Sequence, residues 1–147
     1  MEQVFDGSGC TGANVSPALA WTDPPEGTQS FALMVHDPDA PTGGAGFWHW
    51  IVLDIPAGVS ELPKGAGAAG GGDGLPGGAR MLVNDYAAAW GGPCPPEGDA
   101  AHRYDFTLYA LPSEKLDVPE GASKAVHGFM INATALGKAT FQGKFGR

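Results

Sequence analysis

Positive charge is scarce in this chain. Eight Lys and Arg residues face sixteen Asp and Glu, the formal net charge is −8, and the basic residues never form a run. Nucleic-acid phosphates are held by clustered cations and anionic bilayers attract basic patches, so neither nucleic acid nor a membrane is an expected partner. A small anion needs a site whose local groups overcome the repulsive mean field. Cysteine is scarce too. Cys10 and Cys94 are the only two and form no CxxC, which removes the common redox and zinc-ribbon signatures. Reduced thiols in a cytoplasmic protein are the expectation, with a single bond between the two as the alternative. The opening MEQVFDGSGC has neither the basic start nor the apolar core of a signal peptide. No apolar run approaches the roughly 20 residues of a membrane helix. No GxSxG elbow, HExxH helix or GK[ST] phosphate loop occurs either.

What the chain has in quantity is glycine and proline, 24 and 13 of 147 residues. Apolar and β-branched residues sit in dense runs between these clusters, a pattern of short strands joined by turns. The length suits a single domain, 1–147. SFALMVHD (30–37), FWHWIVLDI (47–55) and HRYDFTLYAL (102–111) read as strands, and ATFQGKF near the end as a last short one. One helix is expected from about Gly121, with Val126, Phe129, Met130, Ala133 and Leu136 at helical spacing and Gly137 as its C-cap. Residues 64–80, with eight glycines, read as a mobile loop. Strands without intervening helices predict a mostly antiparallel β architecture.

Strand parity places Asp37 with Phe31, Leu33 and Val35. It places His49 with Ile51, Leu53 and Ile55, and His102 and Tyr104 with Phe106 and Leu108. Three strands thus each bring a polar group to the end of a core-facing row. If the rows meet, these four residues satisfy one another around a small cavity, because a buried polar group without a partner costs about 1–3 kcal/mol. His36 and His127 read as surface or packing residues, and Trp48 and Trp50 as sheet covering.

CTGANVSPALAW, DPDAP, GFWHW, GPCPPEGDAAHRY and LGKATFQGKFGR stand in this order along the chain. Together they resemble the phosphatidylethanolamine-binding protein family, in the bacterial branch called Raf kinase inhibitor-like, over Cys10 to Arg147. The resemblance implies β-sheets packed face to face as a Greek-key-like sandwich, with a C-terminal helix and a small anion cavity at one end. By motif, Asp37, His49, His102 and Tyr104 line that cavity, and Gly92 and the loop through Cys94 add backbone. The sequence departs from the family pattern in the 64–80 loop and in AAAW at 87–90.

The physical reading of the 91–104 stretch agrees. Pro93, Pro95 and Pro96 fix φ, while Gly91, Gly92 and Gly98 permit close approach. Backbone N–H groups such as that of Cys94 could then turn toward an anion. The imidazoles and the Tyr104 hydroxyl are donors, and Asp37 is expected to face a histidine or a cationic ligand group.

The leading function is binding of a small anion such as phosphate or phosphorylethanolamine, with a regulatory role. The alternative, carried by resemblance, is an inhibitor or scaffold for a protein partner such as a kinase or serine peptidase. Catalysis by His49, His102 and Asp37 ranks third, since no nucleophile motif supports it. No cofactor or metal is expected, and a homodimer is an expectation of the branch alone.

Overall fold

Burial of the apolar runs sets the architecture. The computed structural model describes residues 1–147. In chain order it has β1 (Leu19–Ala20), β2 (Ser30–Asp37), β3 (Phe47–Pro56), β4 (Glu61–Leu62), β5 (Arg80–Met81), β6 (His102–Leu111), α1 (Lys124–Thr134) and β7 (Gly137–Phe145). A five-stranded sheet runs β5-β3-β2-β6-β7, a two-stranded sheet joins β1 and β4, and all pairings are antiparallel.

β2 and β3 are buried on both faces. Phe31, Leu33, Val35, Trp50, Val52 and Ile55 build one core with Leu62 of the small sheet and with Ala66 and Trp90. Ala32, Met34, Ile51, Leu53, Tyr109 and Leu111 build a second with Leu116 and Ile131. Fully burying one such aliphatic side chain contributes about 1.5–3 kcal/mol, so these central strands form the rigid base on which the loops rest.

β3 does not alternate simply. Phe31 pairs with Ile55 but Leu33 with Val52, and Val35 pairs with Trp50 but His36 with Trp48. Each step inserts one surplus residue into β3, a β-bulge. Trp50, Val52 and Ile55 therefore share one core while Ile51 and Leu53 belong to the other. The row predicted for His49 (Ile51, Leu53, Ile55) is thus incorrect. His49 has no partner on β2, and the bulge turns its ring toward Tyr104, at 5.1 Å between centroids. The other bulge holds Asp54 at φ +58°. Its buried carboxylate accepts from Arg80 Nε at 2.7 Å and Leu116 N–H at 2.8 Å.

Three further expectations are corrected. The helix begins at a Ser123 cap, whose hydroxyl accepts from Val126 N–H, and it buries His127 and Ile131. Val126 and Phe129 are exposed, because the inward ridge follows four-residue spacing from His127 through Ile131. Gly137 opens β7 and is not the cap, which is Ala135. The glycine-rich loop begins as core packing: Ala66 is fully buried, Gly67 donates to Ser16 Oγ and accepts from Trp90 N–H. A Cβ on Gly67 would lie 2.7 Å from the Trp90 side chain.

The thiols are not free. Cys10 and Cys94 form a disulfide across 84 positions, tying the N-terminal segment to the 91–99 loop. Thiol labelling of denatured, unreduced protein should find no free cysteine, and two labels per chain would refute the bond. Replacing both cysteines by serine should cost about 2–4 kcal/mol. Asp54→Ala should cost about 3 kcal/mol, from a lost charge-assisted bond and an orphaned N–H, seen as a lower urea midpoint. Asp54→Asn keeps an acceptor and tolerates the left-handed backbone, so it should lose less than Asp54→Ala. Equal losses would discount the Leu116 contact.

Candidate functional site

Two carboxylates two residues apart meet a histidine and an arginine that are neighbours on the adjacent strand. Asp37 ends β2, and its Oδ1 accepts from the N–H groups of Asp39 (2.8 Å) and Ala40 (3.1 Å). This Asx-type turn folds DPDAP over the sheet end. Oδ2 accepts from His102 Nδ1 at 2.7 Å. Asp39 receives the Arg103 backbone N–H and both arms of its guanidinium, at 2.7–2.9 Å. That hydrogen bonding holds the Asp39 carboxyl far below the usual carboxylate range. DPDAP and HRY are therefore two halves of one clamp, His102 with Asp37 and Arg103 with Asp39.

His49 is fixed differently. Its Nδ1 lies 2.6 Å from the Gly91 carbonyl. A carbonyl only accepts, so Nδ1 carries the hydrogen, and the neutral ring presents Nε2 as a bare acceptor. Gly91 N–H returns a bond to the His49 carbonyl at 2.8 Å. Asn84, buried, donates from Nδ2 to the carbonyls of His49 and Ala89 and accepts at Oδ1 from the N–H groups of Tyr86 and Ala87. Asn84 thus fastens the chain before the proline loop to the strand that carries His49.

The two imidazoles are driven apart electrostatically. Burial lowers the pKa of His49, outweighing the Gly91 carbonyl and the Asp37 charge. For His102, burial opposes the charge, but the Asp37 hydrogen bond and the charges of Asp37 and Asp99 overcome it and raise the pKa. Asp99 Oδ2 stands 3.4 Å from His102 Nε2, so each ring nitrogen faces a carboxylate, the setting of an imidazolium. Burial also raises the Tyr104 pKa, so its hydroxyl stays protonated.

A cavity of about 200 Å³ opens among these groups, lined by Asp37, His49, His102 and Tyr104 with Thr42, Phe47, Tyr86 and residues 94–96. Two buried polar atoms on its wall, His49 Nε2 and Tyr104 Oη, have no hydrogen-bond partner. Larger clefts of about 310 and 480 Å³ run beside β7, but neither contains a histidine or a carboxylate.

Of the six residues expected from sequence, the structure gathers five. Asp37, His49, His102, Tyr104 and Cys94 line the cavity, although the Cys94 sulfur is bonded to Cys10. Gly92 does not line it. Its N–H donates to Asn14 Oδ1, and a Cβ there would lie 2.0 Å from the Gln3 carbonyl oxygen, so this glycine admits the N-terminal segment. Asp37 is a positioning residue whose bonds go to its own turn and to His102. Sequence reasoning missed Asn84, Asp99 and Arg147, which donates to the Pro95 and Gly9 carbonyls. The N-D-Y turn pattern signals the first, and the three-residue spacing of Asp99 from His102 is a local signal for the second, while Arg147 acts through tertiary contacts that no local pattern announces.

The sequence model of the phosphatidylethanolamine-binding protein family matches residues 1–146. The chain is 50% identical to Escherichia coli YbcL over 137 residues, covering 92% of this chain and 74% of YbcL. It is 44% identical to E. coli YbhB over 143 residues, covering 97% and 88%. The crystal structure of YbcL, described as a new member of the mammalian PEBP family, superposes with a TM-score of 0.91 at 47% identity over 99% of this chain and 88% of that one. A Chlamydia trachomatis homologue of the family superposes at 0.76, with 31% identity over 94% and 85%. With near-complete coverage by the family model and by these relatives, the chain belongs to the phosphatidylethanolamine-binding protein family.

Proposed function

We propose that the cavity binds a small oxyanion that also carries a hydrogen-bond donor, such as hydrogen phosphate or a phosphorylethanolamine-like group. The observation that carries this reading is the pair of orphaned buried atoms, His49 Nε2 and Tyr104 Oη. Burying an unpaired polar group costs about 1–3 kcal/mol, and a ligand that pairs both recovers that cost. The wall offers mixed chemistry. Tyr104 Oη donates, His102 Nε2 donates once Asp99 releases it, and neutral His49 accepts, so an oxyanion with one proton or one N–H matches better than a bare one. The volume, about 200 Å³, is below the roughly 300 Å³ where drug-sized ligand sites begin. It suits a headgroup-sized molecule.

Binding fits better than covalent catalysis. The His102–Asp37 pair has the geometry of an oriented base, but the one cavity thiol is in the disulfide. Thr42 Oγ1 is turned away toward the Gly46 carbonyl at 3.0 Å.

Two measurements test the reading. Sulfate keeps a constant charge across the pH range of interest, so its affinity by calorimetry reports the protein's titration alone. His102 has a raised pKa and His49 a lowered one. Affinity should therefore rise in two steps on acidification, the first above the ordinary imidazole value of about 6.5 and the second below it. His102→Gln should abolish the first step only, and a flat profile would contradict the assignment. Tyr104→Phe should lower phosphate affinity about tenfold, or 1.4 kcal/mol. It should leave the free protein as stable or about 1 kcal/mol more so, since it deletes an unsatisfied hydroxyl. Unchanged affinity would remove Tyr104 from the site.

A further inference from the structure

Granting the anion-binding reading above, we propose that Asp99 is a resident competitor that sets the threshold for anion entry. Its carboxylate occupies His102 Nε2, the nitrogen that an incoming oxyanion would use, and bare anions bind by displacing it.

The two carboxylates on His102 are unequal. Asp37 sits 2.7 Å from Nδ1 with a side chain 4% exposed, while Asp99 sits 3.4 Å from Nε2 with a side chain 45% exposed. The first is built in by two further bonds from its own turn. The second is at the long end of hydrogen-bond distances and already half in water, so it leaves without stranding a buried charge. Its backbone belongs to the anchored loop: Asp99 N–H donates to the Pro96 carbonyl at 3.3 Å, and Gly98 N–H to the Arg147 carbonyl at 3.1 Å. Displacement therefore needs a side-chain rotation and no opening of the loop.

Charge gives the same direction. Asp39 is neutralised by Arg103, leaving Asp37, Asp99, a charged His102 and a neutral His49 around the cavity, with Tyr104 protonated. That set sums to one negative charge, and it becomes neutral once Asp99 swings out. An anion meeting Asp99 in place meets repulsion and an occupied donor. Its apparent affinity is reduced by the fraction of molecules in which Nε2 is free.

The test compares the intact protein with Asp99→Asn and with Glu97→Gln, an exposed loop carboxylate two positions away that forms no hydrogen bond or ion pair with His102. Sulfate affinity by calorimetry should rise at least fivefold in Asp99→Asn and less than twofold in Glu97→Gln. Ring-nitrogen NMR should show the His102 pKa falling in Asp99→Asn and holding in Glu97→Gln. Equal gains in the two variants would reduce Asp99 to a general field effect and overturn the proposal, as would an unmoved His102 titration. Sulfate binding of equal strength in intact protein and Asp99→Asn would overturn the competitor alone. Hydrogen phosphate binding with no sulfate binding in either would overturn the competitor alone, and binding of neither anion would overturn the anion reading itself, and competition with it.

Discussion

The carboxylate of Asp37 is the constraint from which the site follows. It is buried, it ends a central strand, and it accepts three hydrogen bonds, two from the turn that follows and one from His102. A buried carboxylate is tolerated only when paired and hydrogen-bonded, so its environment must supply those donors together. Supplying them folds DPDAP over the sheet end, fixes the first residue of β6 beside the last of β2, and orients the His102 ring. Arg103, next in sequence, then falls within reach of Asp39. One desolvated charge thus sets the geometry of four residues on two elements.

The opposite wall of the cavity rests on backbone. His49 and Gly91 exchange two bonds, Asn84 ties His49 and Ala89 to the turn at Tyr86 and Ala87, and Trp90 anchors the segment by packing against Trp50 at 5.8 Å. The proline loop is then held by the Cys10–Cys94 bond and by Arg147. Such outside support lets the wall keep two polar atoms unpaired. A loop free to relax would bring some internal partner to Tyr104 Oη or His49 Nε2.

Much of this was legible in sequence because much of it is local. A dense apolar run locates β2, period-two alternation locates β6, and strand parity places Asp37, His102 and Tyr104 on the core side. The motif order gives the family and the cavity residues. What parity alone misses is the surplus residue, since a bulge leaves no mark in apolar spacing. It assigns His49 to the Ile51 row when the ring faces the other core. The helix misleads similarly: Phe129 and Val126 are apolar yet exposed, and the buried line runs through a histidine. The Ala66–Gly67 entry into the core is invisible because glycine and alanine carry no hydrophobic signal of the size they displace. Pairing of Cys10 with Cys94 depends on a fold that spacing does not encode.

The bulge at His49 separates two duties that a strand residue normally combines. Apart from Asp54 in the second bulge, every other position in the middle of β3 is matched to one on β2 or packed in a core, so its identity is bound to the sheet. His49 is surplus to the β2 ladder, and its carbonyl and ring are held by the loop instead. The scaffold therefore carries this part of the cavity wall on a residue that the β2 ladder does not constrain. A different side chain there would change the lining of the cavity without asking the strands to re-register.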